Sequence, residues 1–148
     1  MKKNQYAALQ KIQQDRVNAL PIKFAFNDKQ FEIAMRELGL TVNDTDKIYK
    51  LGSTGGYYRR TDAELIRSTF ALAAKEMKKA IDSDPDGTGF IQDMFLYELA
   101  NHEYCITYDL EPTLDALGLT EEEVANDPRL LNGLKLAKKK YLEQVDEY

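Results

Sequence analysis

Apolar residues recur along most of this chain every three or four positions, the spacing that gives a helix one buried face. The most regular run is Ile66, Phe70, Ala73, Met77 and Ile81, which predicts a helix opened by Thr61 and Glu64, spaced as a capping box. Lys75, Lys78 and Lys79 lie near its end, where the helix dipole favours cations. Tyr6, Leu9, Ile12, Val17 and Leu20 trace a first helix from about Lys3 to Ala19, closed by Pro21, which has no amide to continue it. A second helix carries Phe31, Ile33, Ala34, Met35 and Leu38; Asn27 or Asp28 caps its free first-turn amides, and Gly39 ends it. Pro112 and Gly118 bracket a short helical turn, and Thr120 with Glu123 forms a second capping box. Leu130, Leu134, Ala137, Tyr141 and Val145 are the inner face of a last helix, begun by Asp127–Pro128.

Two stretches depart from this one-faced pattern. From Phe90 to Cys105 (FIQDMFLYELANHEYC) the polar residues gather into no single stripe, which predicts a central helix buried on most sides. From Lys47 to Arg60 (KIYKLGSTGGYYRR) the chain reads as two short strands around a Ser53–Gly56 turn, where glycine supplies positive φ, and Ile22 to Phe26 is a short extended piece. The fold expected is mainly α (α+β): a compact helical bundle of about five to six helices with one small β-hairpin near residues 47–60. Residues 1–148 are expected to form a single domain.

Composition changes this picture little. The chain of 148 residues is 43% hydrophobic and 30% charged, values of a globular protein that exclude wholesale disorder. No run of about 18 apolar residues is present to span a membrane, and the two lysines at the start are followed by no apolar leader segment. Cys105 is the only cysteine, which excludes an internal disulfide and fits a reducing cytoplasm.

Charge changes it more. Residues 1–81 hold 15 Lys and Arg against nine Asp and Glu, whereas Asp82 to Asp127 holds 13 carboxylates and no Lys or Arg. Such asymmetry predicts an acidic and a basic face on one molecule, unless the acidic segment packs beside the basic helices and cancels their field.

Three motifs suggest chemistry. Asp82, Asp84, Asp86 and Gly87 match the opening of a calcium loop, whose alternating oxygens face one cation. The rest of that loop does not fit: its eighth position is Gly89, its twelfth is Asp93 where a longer bidentate Glu is needed, and Pro85 interrupts the coordinating turn. GSTGGYY, followed by Arg59 and Arg60, lacks the strand–loop–helix setting and Gly-Lys-Ser/Thr ending of a phosphate loop, and a hairpin turn explains its glycines. His102 and Cys105, three apart on the predicted central helix, are spaced as a nucleophile pair, but a helix offers no oxyanion donors. A hydrogen-bonded cluster of Glu98, Asn101 and His102 accounts for the same residues without catalysis. Neither an enzymatic activity nor a cofactor or metal is expected.

FNDKQFEIAMRELGL (Phe26–Leu40), DTDKIYKLG (Asp44–Gly52), ELANHEY (Glu98–Tyr104) and DLEPTLDALGLTEEEV (Asp109–Val124) resemble a family of small uncharacterised proteins. Its members are encoded by Gram-positive gut bacteria and by their phages, plasmids and conjugative elements. The resemblance implies an accessory protein of a mobile element, a setting rich in acidic inhibitors of host defence. The function expected is a cytoplasmic, non-enzymatic inhibitor of a CRISPR-type nuclease, whose carboxylates Asp93, Glu103, Asp109, Glu111, Asp115, Glu121, Glu122 and Glu123 occupy a basic nucleic-acid-binding surface on that partner. It would contact neither nucleic acid nor membrane itself. Duplex DNA carries a charge about every 1.7 Å, so acids spaced roughly one per 3.5 residues mimic it only if they converge in space. The alternative function is a calcium- or ligand-binding regulator using the Asp82–Asp86 loop.

Overall fold

The helical periods become, in the computed structural model, eight α-helices among the described residues, 3–146, and the extended pieces become a three-stranded antiparallel sheet. The protein is mainly α with a small β element, as the periodicity predicts. By contacts the chain divides into two units, one built from the residues up to Gln13 and from Lys75 onward, the other from Gln14 to Ala74. The division falls inside helices α1 (Gln5–Asn18) and α3 (Ala63–Asp82).

In the first unit the central helix is α4 (Phe90–Asn101), whose Ile91, Met94, Phe95 and Leu99 are fully enclosed. It packs chiefly on α8 (Pro128–Asp146), which presents Leu130, Leu134, Ala137 and Tyr141 as predicted. Tyr6 of α1, Tyr104 of α5 (Tyr104–Thr107), Leu114 of α6 (Glu111–Leu117) and Val124 of α7 (Glu121–Asn126) complete this core. Enclosing each of the Leu, Ile, Val, Met and Phe side chains stabilises the fold by about 1.5–3 kcal/mol.

Two boundaries differ from the sequence pattern, each for a physical reason. The central helix stops at Asn101 instead of running to Cys105, because Glu103 adopts a left-handed conformation (φ 52°) and turns the chain. Asn101 and His102 are weak helix formers, and the turn lets Tyr104 bury itself beside Tyr108 and Tyr141, with ring centroids 5.7 and 6.4 Å away. At the start of α3 the chain is already in a 3₁₀ turn from Arg60 to Asp62, so Thr61 lies within the turn and the expected Thr61–Glu64 box does not form. An Arg59–Asp62 pair at 3.0 Å closes that corner instead. Along α3 only Ile66 of the regular ladder is buried, and Phe70 remains 40% exposed.

The second unit sets α2 (Asp28–Glu37) beside the sheet. Asn27 caps α2 by accepting from the Gln30 amide at 2.8 Å, and Gln30 Oε1 in turn accepts from the Phe26 amide at 2.8 Å. The helix ends at Gly39, whose φ of 76° lets the Leu40 amide reach back to the Met35 carbonyl at 2.8 Å. The hairpin forms from β2 (Ile48–Leu51) and β3 (Gly56–Arg59), with Tyr49 opposite Tyr58 and Lys50 opposite Tyr57. The extended piece before α2 supplies a third strand, β1 (Lys23–Phe24), on the far side of β3. Met35, Leu38 and Ile48 form the core here, with Phe31, Leu40 and Tyr57 packed against it. Among the described residues no helix is long and apolar enough to cross a membrane.

Candidate functional site

The acidic stretch begins in a loop where its carboxylates are consumed internally. Asp84 is 5% exposed and accepts from three backbone amides: Gly87 at 3.1 Å, Gly89 at 3.0 Å and Ile91 at 3.0 Å. It thereby satisfies first-turn donors of α4 that Gly89, with no side chain, leaves open. Asp82 pairs with Lys78 at 2.8 Å, and Asp86 accepts from the Thr88 hydroxyl at 2.6 Å and its amide at 3.0 Å. A guanidinium already holds the loop: Arg129 donates to the carbonyls of Ile81 and Asp84 at 3.1 and 3.2 Å. The backbone of α8 comes so close that a Cβ on Gly133 would lie 2.8 Å from the Gly87 carbonyl oxygen. The three aspartates of the candidate calcium loop therefore serve three separate sets of donors. Among the described residues no three His, Cys, Asp or Glu are grouped to hold a metal ion.

Next in the chain, Glu98 is buried and accepts from the Tyr6 hydroxyl at 2.7 Å and from Asn101 at 3.4 Å. Gln10 donates to the Tyr6 oxygen at 2.7 Å, and burial, reinforced by the Glu98 carboxylate, pushes the phenol well above the ordinary tyrosine range. His102 Nε2 lies 3.2 Å from Glu98 Oε2, off the N–H direction, and makes no hydrogen bond. The Glu98–Asn101–His102 cluster thus exists in part, with Tyr6 as the partner that sequence spacing could not supply. The bend at Glu103 puts His102 and Cys105 on separate elements; the Cys105 amide instead donates to the Tyr141 hydroxyl at 3.2 Å.

Beyond that bend the carboxylates behave differently. Pro112 starts α6, and Gly118 (φ 68°) ends it with the Leu119 amide bonded back to the Leu114 carbonyl at 2.9 Å. Thr120 then caps α7 by accepting from the Glu123 amide at 3.1 Å. One side of α6 is fixed inward by Leu114 and by Thr113, whose hydroxyl donates to the Glu98 carbonyl at 3.4 Å. Glu111 and Asp115, one turn apart, are left exposed. Together with Asp109 and Glu121 they converge on a groove of about 430 Å³ completed by Leu114, Leu119 and Thr120. No Lys or Arg is among the residues lining it.

The other four predicted partner-binding carboxylates lie outside the groove. Asp93 accepts from the Gln5 amide at 2.8 Å and secures the start of α1. Glu123 accepts from the Thr120 hydroxyl at 3.1 Å in the capping pair. Glu103 occupies the left-handed corner, and Glu122 stands exposed on α7.

Residues 5–140 match DUF7659, a family of unknown function. The chain belongs to that family. No curated protein and no solved structure matches it. Within this DUF7659 chain the geometry adds groove features that sequence reading missed. Leu114 and Leu119 give the groove an apolar floor, and the segment leading into it exposes Ile106 (70%) and Tyr108 (68%). Their signal was present but ambiguous, since apolar residues beside a predicted central helix read as core. The larger opening in the second unit, lined by Phe26, Phe31 and Tyr57, gave no sequence signal beyond its aromatic residues.

Proposed function

We propose that this protein is a non-enzymatic binding protein whose Asp109–Glu121 groove receives a basic surface of a partner protein. The observation that carries the reading is the convergence of four carboxylates on one groove without a lining cation. Carboxylates left in water contribute little to folding, whereas charges meeting a cationic surface set association rate and specificity. Ile106 and Tyr108, exposed in the segment that precedes Asp109, supply apolar anchors of the kind that binding energy concentrates on. The partner in this proposal is a CRISPR-type defence nuclease, inhibited in the cytoplasm by occupation of its nucleic-acid channel. The gene belongs to a mobile element of a Gram-positive gut bacterium, as the family resemblance implies.

The test is guide-directed cleavage by a purified CRISPR effector, with the full chain titrated in at low and at high salt. The expected result is inhibition that weakens with salt and is reduced at least tenfold by the combined change Asp109→Asn, Glu111→Gln, Asp115→Asn and Glu121→Gln, roughly 1.4 kcal/mol or more. Cleavage unchanged at saturating protein would remove the nuclease from the proposal. Binding indifferent to both salt and neutralisation would remove the acidic groove.

A further inference from the structure

The second unit holds a cavity that its own core does not fill. Met35, Leu38 and Ile48 form that core, and beside the first turn of α2 an opening of about 500 Å³ remains, lined by Asn27, Asp28, Phe31 and Ile48 itself. Phe31 and Tyr57 stand edge-on in its wall, with centroids 5.1 Å apart and planes at 66°. Phe26 also lines the cavity yet is 75% exposed, an apolar ring left mostly in water. Its place is built in: the ring lies over Gly55, where any Cβ would collide with it and where φ is 83°.

The polar lining carries one charge of each sign, Asp28 and Lys50. Several other charges of this unit form pairs, as in Lys23–Glu37, Asp44–Lys47 and Arg59–Asp62. Neither Asp28 nor Lys50 has an ion-pair partner among the described residues. A concave opening of this size, whose wall combines aromatic rings with polar and charged groups, is a form that small-molecule sites take.

We infer that this cavity binds a free aromatic α-amino acid. Its ring would lie among Phe26, Phe31 and Tyr57, its carboxylate toward Lys50 and its ammonium toward Asp28. A zwitterion satisfies both unpaired charges at once, which a purely anionic or purely apolar ligand does not. Aromatic rings facing one another at the cavity wall add attraction beyond area burial.

The experiment is calorimetry on the full chain with L-phenylalanine, L-tyrosine and L-tryptophan, with N-acetyl-L-phenylalanine amide as the uncharged control. The result expected is saturable binding of at least one free amino acid and none of the blocked amide. Asp28→Asn and Lys50→Gln should each weaken it about tenfold. Both residues are exposed, so circular dichroism should report an unchanged fold. Absence of saturable binding by all three amino acids would overturn the inference. So would equal binding of the blocked amide, which would point to an aromatic side chain of a protein partner, or indifference to both charge changes.

Discussion

The two halves of the acidic stretch have similar composition and opposite fates. From Asp82 to Glu98 every carboxylate has an assigned donor: a lysine, backbone amides, a threonine or a phenol. From Glu103 to Glu122 they stand exposed, and among the described residues only Asp109 of these accepts a bond, from the nearby Glu111 amide at 3.0 Å. Glu123 and Asp127, which close the stretch, are bonded to Thr120 and Arg129. The difference is one of access to donors. The first half contains Gly87, Gly89 and a helix start, which present free amides to an incoming oxygen, whereas α6 and α7 present their acidic sides to water. A run of negative charge is thus two things here: internal scaffolding, then an unspent surface.

The strongest way to break this comparison is to remove scaffolding. Asp84→Ala leaves the buried amides of Gly87 and Ile91, and that of Gly89, without an acceptor. It should cost about 3–5 kcal/mol, since each stranded buried donor costs about 1–3. Denaturant unfolding would measure it, and a loss under 1 kcal/mol would mean that water replaces the carboxylate freely.

Tyr6→Phe comes next. It removes one phenol from Glu98 and should cost about 1–3 kcal/mol by leaving a buried carboxylate short of a donor. The same residue makes a pH prediction. The folded state holds the phenol proton above the usual value near 10, so the unfolded chain loses its proton first and stability falls as pH rises past about 10. Thermal melts across that range should show a shallower fall in Tyr6→Phe.

At the acid end the sign reverses. Hydrogen bonds from Thr88 hold the Asp86 carboxyl below the usual range, and Arg129 does the same for Asp127. Both stabilise the fold above the ordinary aspartate pKa and lose that contribution as pH falls through the lowered one. Melts at falling pH should therefore lose less stability in Thr88→Ala.

The groove should respond least. Neutralising Asp109, Glu111, Asp115 and Glu121 together should shift stability by no more than about 0.5 kcal/mol, because exposed carboxylates contribute little. A melt measures it, and a large destabilisation would place these residues with the scaffolding. Smallest of all is calcium: a millimolar addition should leave the midpoint unchanged, since the Asp84 oxygens already face amides and Arg129 holds the loop carbonyls. A rise lost in Asp86→Asn would restore the regulator reading.

Much of this was legible before any coordinates. Asn27, Gly39, Pro112, Gly118, Thr120 and Pro128 mark helix ends in the sequence and do so in the structure. They succeed because a cap acts on amides or carbonyls within a few residues, so that its chemistry is local. The box at Thr61 failed for a related reason: the preceding strand delivers the chain already turning at Arg60, which no local spacing reveals.

Sequence by itself determined most helix positions, the hairpin and where charge accumulates. Asp82, Asp84 and Asp86 are met by donors within seven residues, whereas tertiary structure decided the fate of the carboxylates whose donors come from far along the chain. Tyr6 reaches Glu98 across 92 positions, and the Gln5 amide reaches Asp93 across 88. The groove and the aromatic cavity belong to the same class. Each is the space left where one helix packs its inner residues and stops, and that depends on how far a neighbouring element extends in three dimensions.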